Sequence, residues 1–165
     1  MKTQPITSRA GAGRHPAKAS ESGHRVAPAR PEYPLRLLLA DDSAAVRVTT
    51  RLLLCSQGFS VVEAGSGEEA VALYRELGAT IELVMLDMQM PGMDGLDTLR
   101  ALRGLDSSVR VVMVSGGGRT ERVERALREG ALAFVPKPFS FDDLLADIAQ
   151  WVAPARDPVR QAMAG

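Results

Sequence analysis

A chain of 165 residues holds one domain of ordinary size with room for flanking segments. Its 20 basic and 20 acidic side chains cancel overall, yet residues 35–152 carry 12 basic against 17 acidic ones, which argues against non-specific nucleic-acid binding by that region. One cysteine, Cys55, excludes an internal disulfide, and no apolar run approaches the roughly 18–20 residues of a membrane span.

Residues 1–34 contain Pro5, Pro16, Pro28, Pro31 and Pro34 among Gly, Ser, Ala and Arg, with sparse, aperiodic apolar residues. Such a segment buries too little to offset its ordering entropy and reads as a disordered basic arm. It lacks the apolar core of a secretory signal, so a cytoplasmic protein is expected. From Leu35 the pattern changes. Leu35 to Ala40 is a short apolar run that reads as a buried strand ending on Asp41-Asp42. Ser43 can cap a helix with Val46, Thr50, Leu53 and Leu54 inward, closed by Gln57-Gly58. Cys55, in the run Leu52 to Cys55, is expected to be a buried small hydrophobe.

Phe59 to Ala64 is rich in β-formers and predicts a second strand. Ser66 and Glu69 have capping-box spacing ahead of a helix with Ala70, Leu73, Tyr74 and Leu77 on its apolar face, ended by Gly78. Ile81 to Leu86 is a third strand that stops on Asp87, followed at once by the turn Met88-Gln89-Met90-Pro91-Gly92-Met93-Asp94-Gly95. Met88, Met90 and Met93 are expected to pack around that turn. Leu96, Leu99 and Leu102 mark a short helix ending near Gly104, and Val109 to Val114 a fourth strand that stops on Ser115. Arg119 to Glu129 is a charged helix with Val123, Ala126 and Leu127 inward, and with Glu121–Arg125 and Glu124–Arg128 in the favourable i,i+4 order. Its arginine row, Arg119, Arg122, Arg125 and Arg128, reads as a solvated face. Ala131 to Val135 is a fifth strand. Ser140 to Asp143 caps a last helix with Leu144, Leu145, Ile148 and Val152 inward, covered by Trp151. Residues 153–165, with Pro154 and Pro158, read as a flexible tail and are expected to hold no second domain.

Five strands alternating with five helices predict an α/β fold, a parallel sheet with helices on both faces. In a parallel sheet the strand ends share one edge. Asp41-Asp42, Asp87, Ser115 and, just past the fifth strand, Lys137-Pro138 therefore converge. Clustered carboxylates repel one another unless a cation is present, and three acids without histidine or cysteine favour a hard, oxygen-liganded ion, Mg²⁺ first and Mn²⁺ second. Lys137 as a compact charge and Ser115 as a hydroxyl donor suit a phosphoryl group. Lys137 is also the one lysine of residues 35–152, in a chain with 17 arginines and three lysines.

With these residues, 35–152 resembles the receiver domain of bacterial two-component response regulators. The likeness rests on Asp41-Asp42, the Leu-Asp-Met-Gln-Met-Pro-Gly-Met-Asp-Gly stretch around Asp87, Ser115 and Lys137-Pro138-Phe139. It implies a flavodoxin-like doubly wound sheet of strand order 2-1-3-4-5. It further implies that Asp87 accepts a phosphoryl group from a sensor histidine kinase or a phosphotransfer protein. Asp42, Asp87 and the Gln89 carbonyl would hold Mg²⁺, with Asp41 bound through water. Lys137 would pair with the phosphoryl oxygens, the Lys137-Pro138 peptide would be cis, and Ser115 and Phe134 would be the switch pair. Phe134 stands where the family more often has Tyr, so no hydroxyl is offered to a partner. Gln89 and Gly117 would flank the path of attacking water and set the phosphoryl lifetime.

The expected output is a stand-alone switch, not an enzyme in the ordinary sense, that signals through the face of helix four, strand five and helix five. Its downstream target would be a protein, without direct DNA binding, and the chain would be a monomer or a weak phosphorylation-dependent dimer. A phosphorelay intermediate, a phosphate sink and a piece of a larger regulator or hybrid kinase are the alternatives. A haloacid-dehalogenase-like phosphatase would need a second acid where Gln89 stands. A receiver that lost phosphorylation would lack an acid or the lysine, and none is missing.

Overall fold

The computed structural model describes residues 34–152. The expected arm over 1–34, apart from Pro34, and the tail over 153–165 lie outside the described residues. Five strands, β1 (Arg36–Ala40), β2 (Ser60–Ala64), β3 (Leu83–Asp87), β4 (Val111–Ser115) and β5 (Ala133–Pro136), form one parallel sheet in the order β2-β1-β3-β4-β5. The helices are α1 (Ala44–Ser56), α2 (Gly67–Leu77), α3 (Gly95–Leu105), α4 (Glu121–Arg128) and α5 (Phe141–Val152). The expected fold class and strand order are those observed. Among the described residues no helix is long and apolar enough to cross a membrane.

β3 and β4 are buried along their whole length, as runs covered on both faces must be. Alternation divides the core. Leu38, Val84, Leu86 and Met113 pack under α2, α3 and α4, through Tyr74, Leu99, Leu102 and Val123. Leu37, Leu83, Met85 and Val112 pack under α1 and α5, through Leu54, Leu144 and Ile148. Trp151 joins this second cluster, as expected of a residue covering the last helix.

The helix caps follow the sequence closely. Ser43, Ser66, Asp94 and Thr120 each accept a backbone N–H of the first turn, and Ser140 accepts from Asp143. Glu69 does not close a reciprocal box with Ser66; its Oε2 takes the amide of Gly65, at 2.6 Å. Gly78 keeps right-handed helical dihedrals and leads into a 3-10 turn, Gly78–Thr80, so β3 starts at Leu83 rather than Ile81.

Three further expectations fail. Cys55 is exposed, because Leu54 takes the inward direction of α1 and the next residue lies about 100° around the helix. Leu53 is likewise 41% exposed, and only Thr50 and Leu54 of its proposed face are buried. On α4 the Glu121–Arg125 and Glu124–Arg128 pairs do not form among the described residues. Instead Glu124 pairs with Arg119, while Arg125 and, from α3, Arg100 share Glu129.

Candidate functional site

The site is built by strand ends and one loop. Register sets Ala40 of β1 beside Leu86 of β3, so the next residues along, Asp41 and Asp87, lie side by side. Asp87 in turn pairs with Val114 of β4, which brings Ser115 to the same edge. Lys137 is tied there by its own backbone, since its N–H donates to the Ser115 carbonyl at 2.8 Å, and the Lys137–Pro138 peptide is cis. Asp41 and Asp87 are buried, at 2% and 7% exposure, while Asp42 is exposed.

Lys137 Nζ sits between the two buried acids, 2.5 Å from Asp41 Oδ2 and 3.1 Å from Asp87 Oδ1. Asp41 also accepts the Ser43 amide through Oδ1, at 2.8 Å, and its carbonyl accepts from Arg47 at 2.6 Å. Asp41 is thus held by several donors, while Asp87 shares one. Burial accordingly pushes the Asp87 carboxyl above its ordinary range; the Lys137 bond opposes this, and the charges of Asp41 and Asp42 add to it. Burial works to lower the Lys137 pKa, but its bonds to Asp41 and Asp87 prevail and hold it above its ordinary value.

One oxygen from each of Asp41, Asp42 and Asp87 lies within 4.8 Å of the others. Three carboxylates without a nitrogen or sulfur donor among them fit a hard divalent cation such as Mg²⁺. Against the core lies a small cavity with a mostly apolar floor, including Leu39, Met85, Val114 and Phe139 beside Asp87 and Lys137.

Ser115 is buried and its Oγ accepts the Gly117 amide at 3.3 Å. Gln89 and Gly117 are exposed beyond the strand ends, whereas Met88 and Met90 are buried in the core. Phe134 on β5 is half-buried and packs against the α2–α4 cluster, away from the acids. The edge therefore brings together Asp41, Asp42, Asp87, Ser115 and Lys137, with Phe134 apart. Sequence reasoning gave no role to Arg47, to Glu68 or to the Arg122–Asp94 bond of 2.5 Å. Of these only Asp94 carried a local signal, an aspartate directly before a glycine-led helix.

The response regulator receiver domain matches residues 37–149. The chemotaxis protein CheY of Bacillus subtilis is 38% identical over 114 residues, which cover 68% of this chain and 93% of CheY. The chain belongs to the response regulator receiver family. A chain of the CheX–CheY–BeF3–Mg²⁺ complex from Borrelia burgdorferi superposes with a TM-score of 0.70 at 32% identity, covering 74% of this chain and 92% of that one. The DNA-binding response regulator MtrA of Mycobacterium tuberculosis strain H37Rv is 36% identical over 113 residues, 68% of this chain but 48% of MtrA. Receivers thus match here both as nearly whole proteins and as parts of longer ones. Receiver domains bind Mg²⁺ at an acidic pocket, and this chain has an aspartate cluster at its sheet edge.

Proposed function

We propose that this receiver accepts a phosphoryl group on Asp87 in a Mg²⁺-dependent reaction and signals by phosphorylation-dependent protein binding. The observation that carries the reading is the shared lysine: one ammonium bridges two buried carboxylates at the sheet edge, with a third carboxylate beside them.

Asp42, Asp87 and the Gln89 carbonyl would hold the metal, with Asp41 acting through water. Bound there, Mg²⁺ supplies positive charge that offsets the carboxylates and the incoming phosphoryl oxygens. A carboxylate oxygen of Asp87 attacks the phosphorus of a phosphohistidine on a sensor kinase or phosphotransfer protein. The P–O bond forms as the P–N bond breaks, and the departing imidazole nitrogen takes a proton from solvent. Lys137 lies within reach of Asp87 and faces the charge carried by the transferred oxygens. The Ser115 hydroxyl, released from the Gly117 amide, donates to the acyl phosphate, and Phe134 responds on β5. The readout is the α4–β5–α5 face, and Gln89 and Gly117 border the route of hydrolytic water. The cellular setting consistent with this role is the cytoplasm, and the domain acts as a monomer or a weak phosphorylation-dependent dimer.

Incubation with acetyl phosphate should give a slower band on a phosphate-affinity gel with Mg²⁺ and none with chelator, and Asp42→Asn should weaken the metal dependence. Equal labelling with and without metal would refute the metal-assisted reading. The receiver domain of the hybrid histidine kinase CckA, 33% identical with a TM-score of 0.61, favours a second output, as a phosphorelay intermediate. Passage of the phosphoryl group from Asp87 to a histidine would distinguish the two.

A further inference from the structure

Most of the site is anchored by the sheet, but the Gln89 carbonyl is not. Gln89 belongs to the turn between β3 and α3, and among the described residues 89–93 make no backbone–backbone hydrogen bond. The turn is bounded by Met88 and Gly95, whose N–H donates to the Met88 carbonyl at 3.2 Å, and within it the Met90 side chain is buried. Between these points the Met93 amide has one partner, Glu68 Oε1 at 2.9 Å, 25 residues away on the first turn of α2.

The local packing around that bond is close. Gly92 has φ +77°, and a Cβ there would lie 2.9 Å from Glu68 Oε1. Gly67, next to Glu68, leaves no room either: a Cβ would stand 2.2 Å from Thr98 Oγ1 and 2.5 Å from the Met93 carbonyl. Gly95 closes the far side, where a Cβ would meet the Asp87 carbonyl at 2.3 Å. Backbone thus meets backbone at Gly67 and Gly95, while Gly92 faces the Glu68 carboxylate itself. Glu68 reaches across a seam where the chain is closely packed on both sides of its contact. Its carboxyl is held below the usual carboxylate range by backbone N–H donors, that of Met93 among them.

We propose that Glu68 is a positioning residue: by clamping the Met93 amide it holds the β3–α3 turn so that the Gln89 carbonyl faces the metal. The inference rests on the functional reading above and extends it to an α2 residue that touches neither metal nor phosphoryl group. It is the hydrogen bond, not the charge, that performs the task. Glu68→Gln keeps an acceptor and should retain the clamp, whereas Glu68→Ala loses it.

Two readouts test this in the full chain. In metal-free protein, hydrogen exchange at the Met93 amide should be at least roughly tenfold faster in Glu68→Ala and near wild type in Glu68→Gln. In calorimetric titration with Mg²⁺, Glu68→Ala should bind roughly tenfold more weakly, the scale seen when groups supporting metal ligands are removed, and Glu68→Gln within about threefold of wild type. Unchanged Met93 exchange in Glu68→Ala overturns the clamp. Faster exchange with wild-type Mg²⁺ affinity overturns its link to the metal. A Glu68→Gln variant as defective as Glu68→Ala shows that charge, not hydrogen bonding, is responsible. The exchange measurement needs no metal, so it reads the clamp even if wild-type protein binds no Mg²⁺, a result that would instead strike the functional reading.

Discussion

At the scale of the residue, the site trades stability for readiness. Asp87 is buried among like charges with half of one lysine as its compensation. Its raised carboxyl pKa means that the ionised form costs folding stability. That cost is absent below the ordinary carboxylate range and fully present once the pH exceeds the raised value. Asp87→Asn should therefore melt higher than wild type in metal-free buffer at neutral pH, by roughly 2–4 °C for a gain of about 1 kcal/mol. Calorimetry decides it, and a lower melting temperature would show that the Lys137 bond outweighs the burial. Lys137 offers a second test. A guanidinium is a planar fork and does not reproduce a point charge between two acids 2.5 and 3.1 Å away. Lys137→Arg should still accept phosphate from acetyl phosphate yet lose phosphorylation-dependent partner binding, measured by pull-down. Normal partner binding by that variant would remove the lysine from the switch.

At the scale of the element, α4 shows where sequence reading stops. Its inward residues Val123 and Ala126 followed from spacing, and so did its position between β4 and β5. The two ion pairs expected of it did not, although Arg125 does pair with Glu129 four residues on. The i,i+4 rule treats a helix as isolated, whereas Glu129 turns to Arg100 of α3 and Arg122 turns to Asp94. Partners on another element are invisible to local spacing. The same holds for α1, where the run Leu52-Leu53-Leu54-Cys55 is apolar throughout and only the fold selects Leu54 for burial. β3 and β4, by contrast, were legible because covered parallel strands leave an unmistakable apolar run. Glu68 stayed hidden because its partner is a backbone amide 25 residues away. Glu129 also carries a pH prediction. Arg100 and Arg125 lower its carboxyl from 4.5 to about 2. The stability it contributes is complete above pH 4.5 and lost as the pH falls towards 2. Glu129→Gln should melt below wild type at neutral pH, with the gap closing by pH 2 to 3; a gap independent of pH would show that packing is responsible.

At the scale of the whole molecule, the five-stranded sheet is a frame that delivers three acids, a hydroxyl and an ammonium to one edge. Metal and phosphoryl group should then report on the entire fold. A ligand at ten times its dissociation constant stabilises by about 1.4 kcal/mol, so Mg²⁺ should raise the melting temperature of wild type by several degrees and that of Asp42→Asn by less. Equal responses would mean the ion binds elsewhere. The central claim is that this edge is a phosphoacceptor with a carboxylate oxygen of Asp87 as its acceptor atom. Peptide mass spectrometry after treatment with acetyl phosphate and Mg²⁺ tests it most directly. The account predicts one added phosphoryl group, located on Asp87 and absent in Asp87→Asn. A wild-type chain that binds beryllofluoride yet stays unmodified, or one modified at another residue, would contradict it.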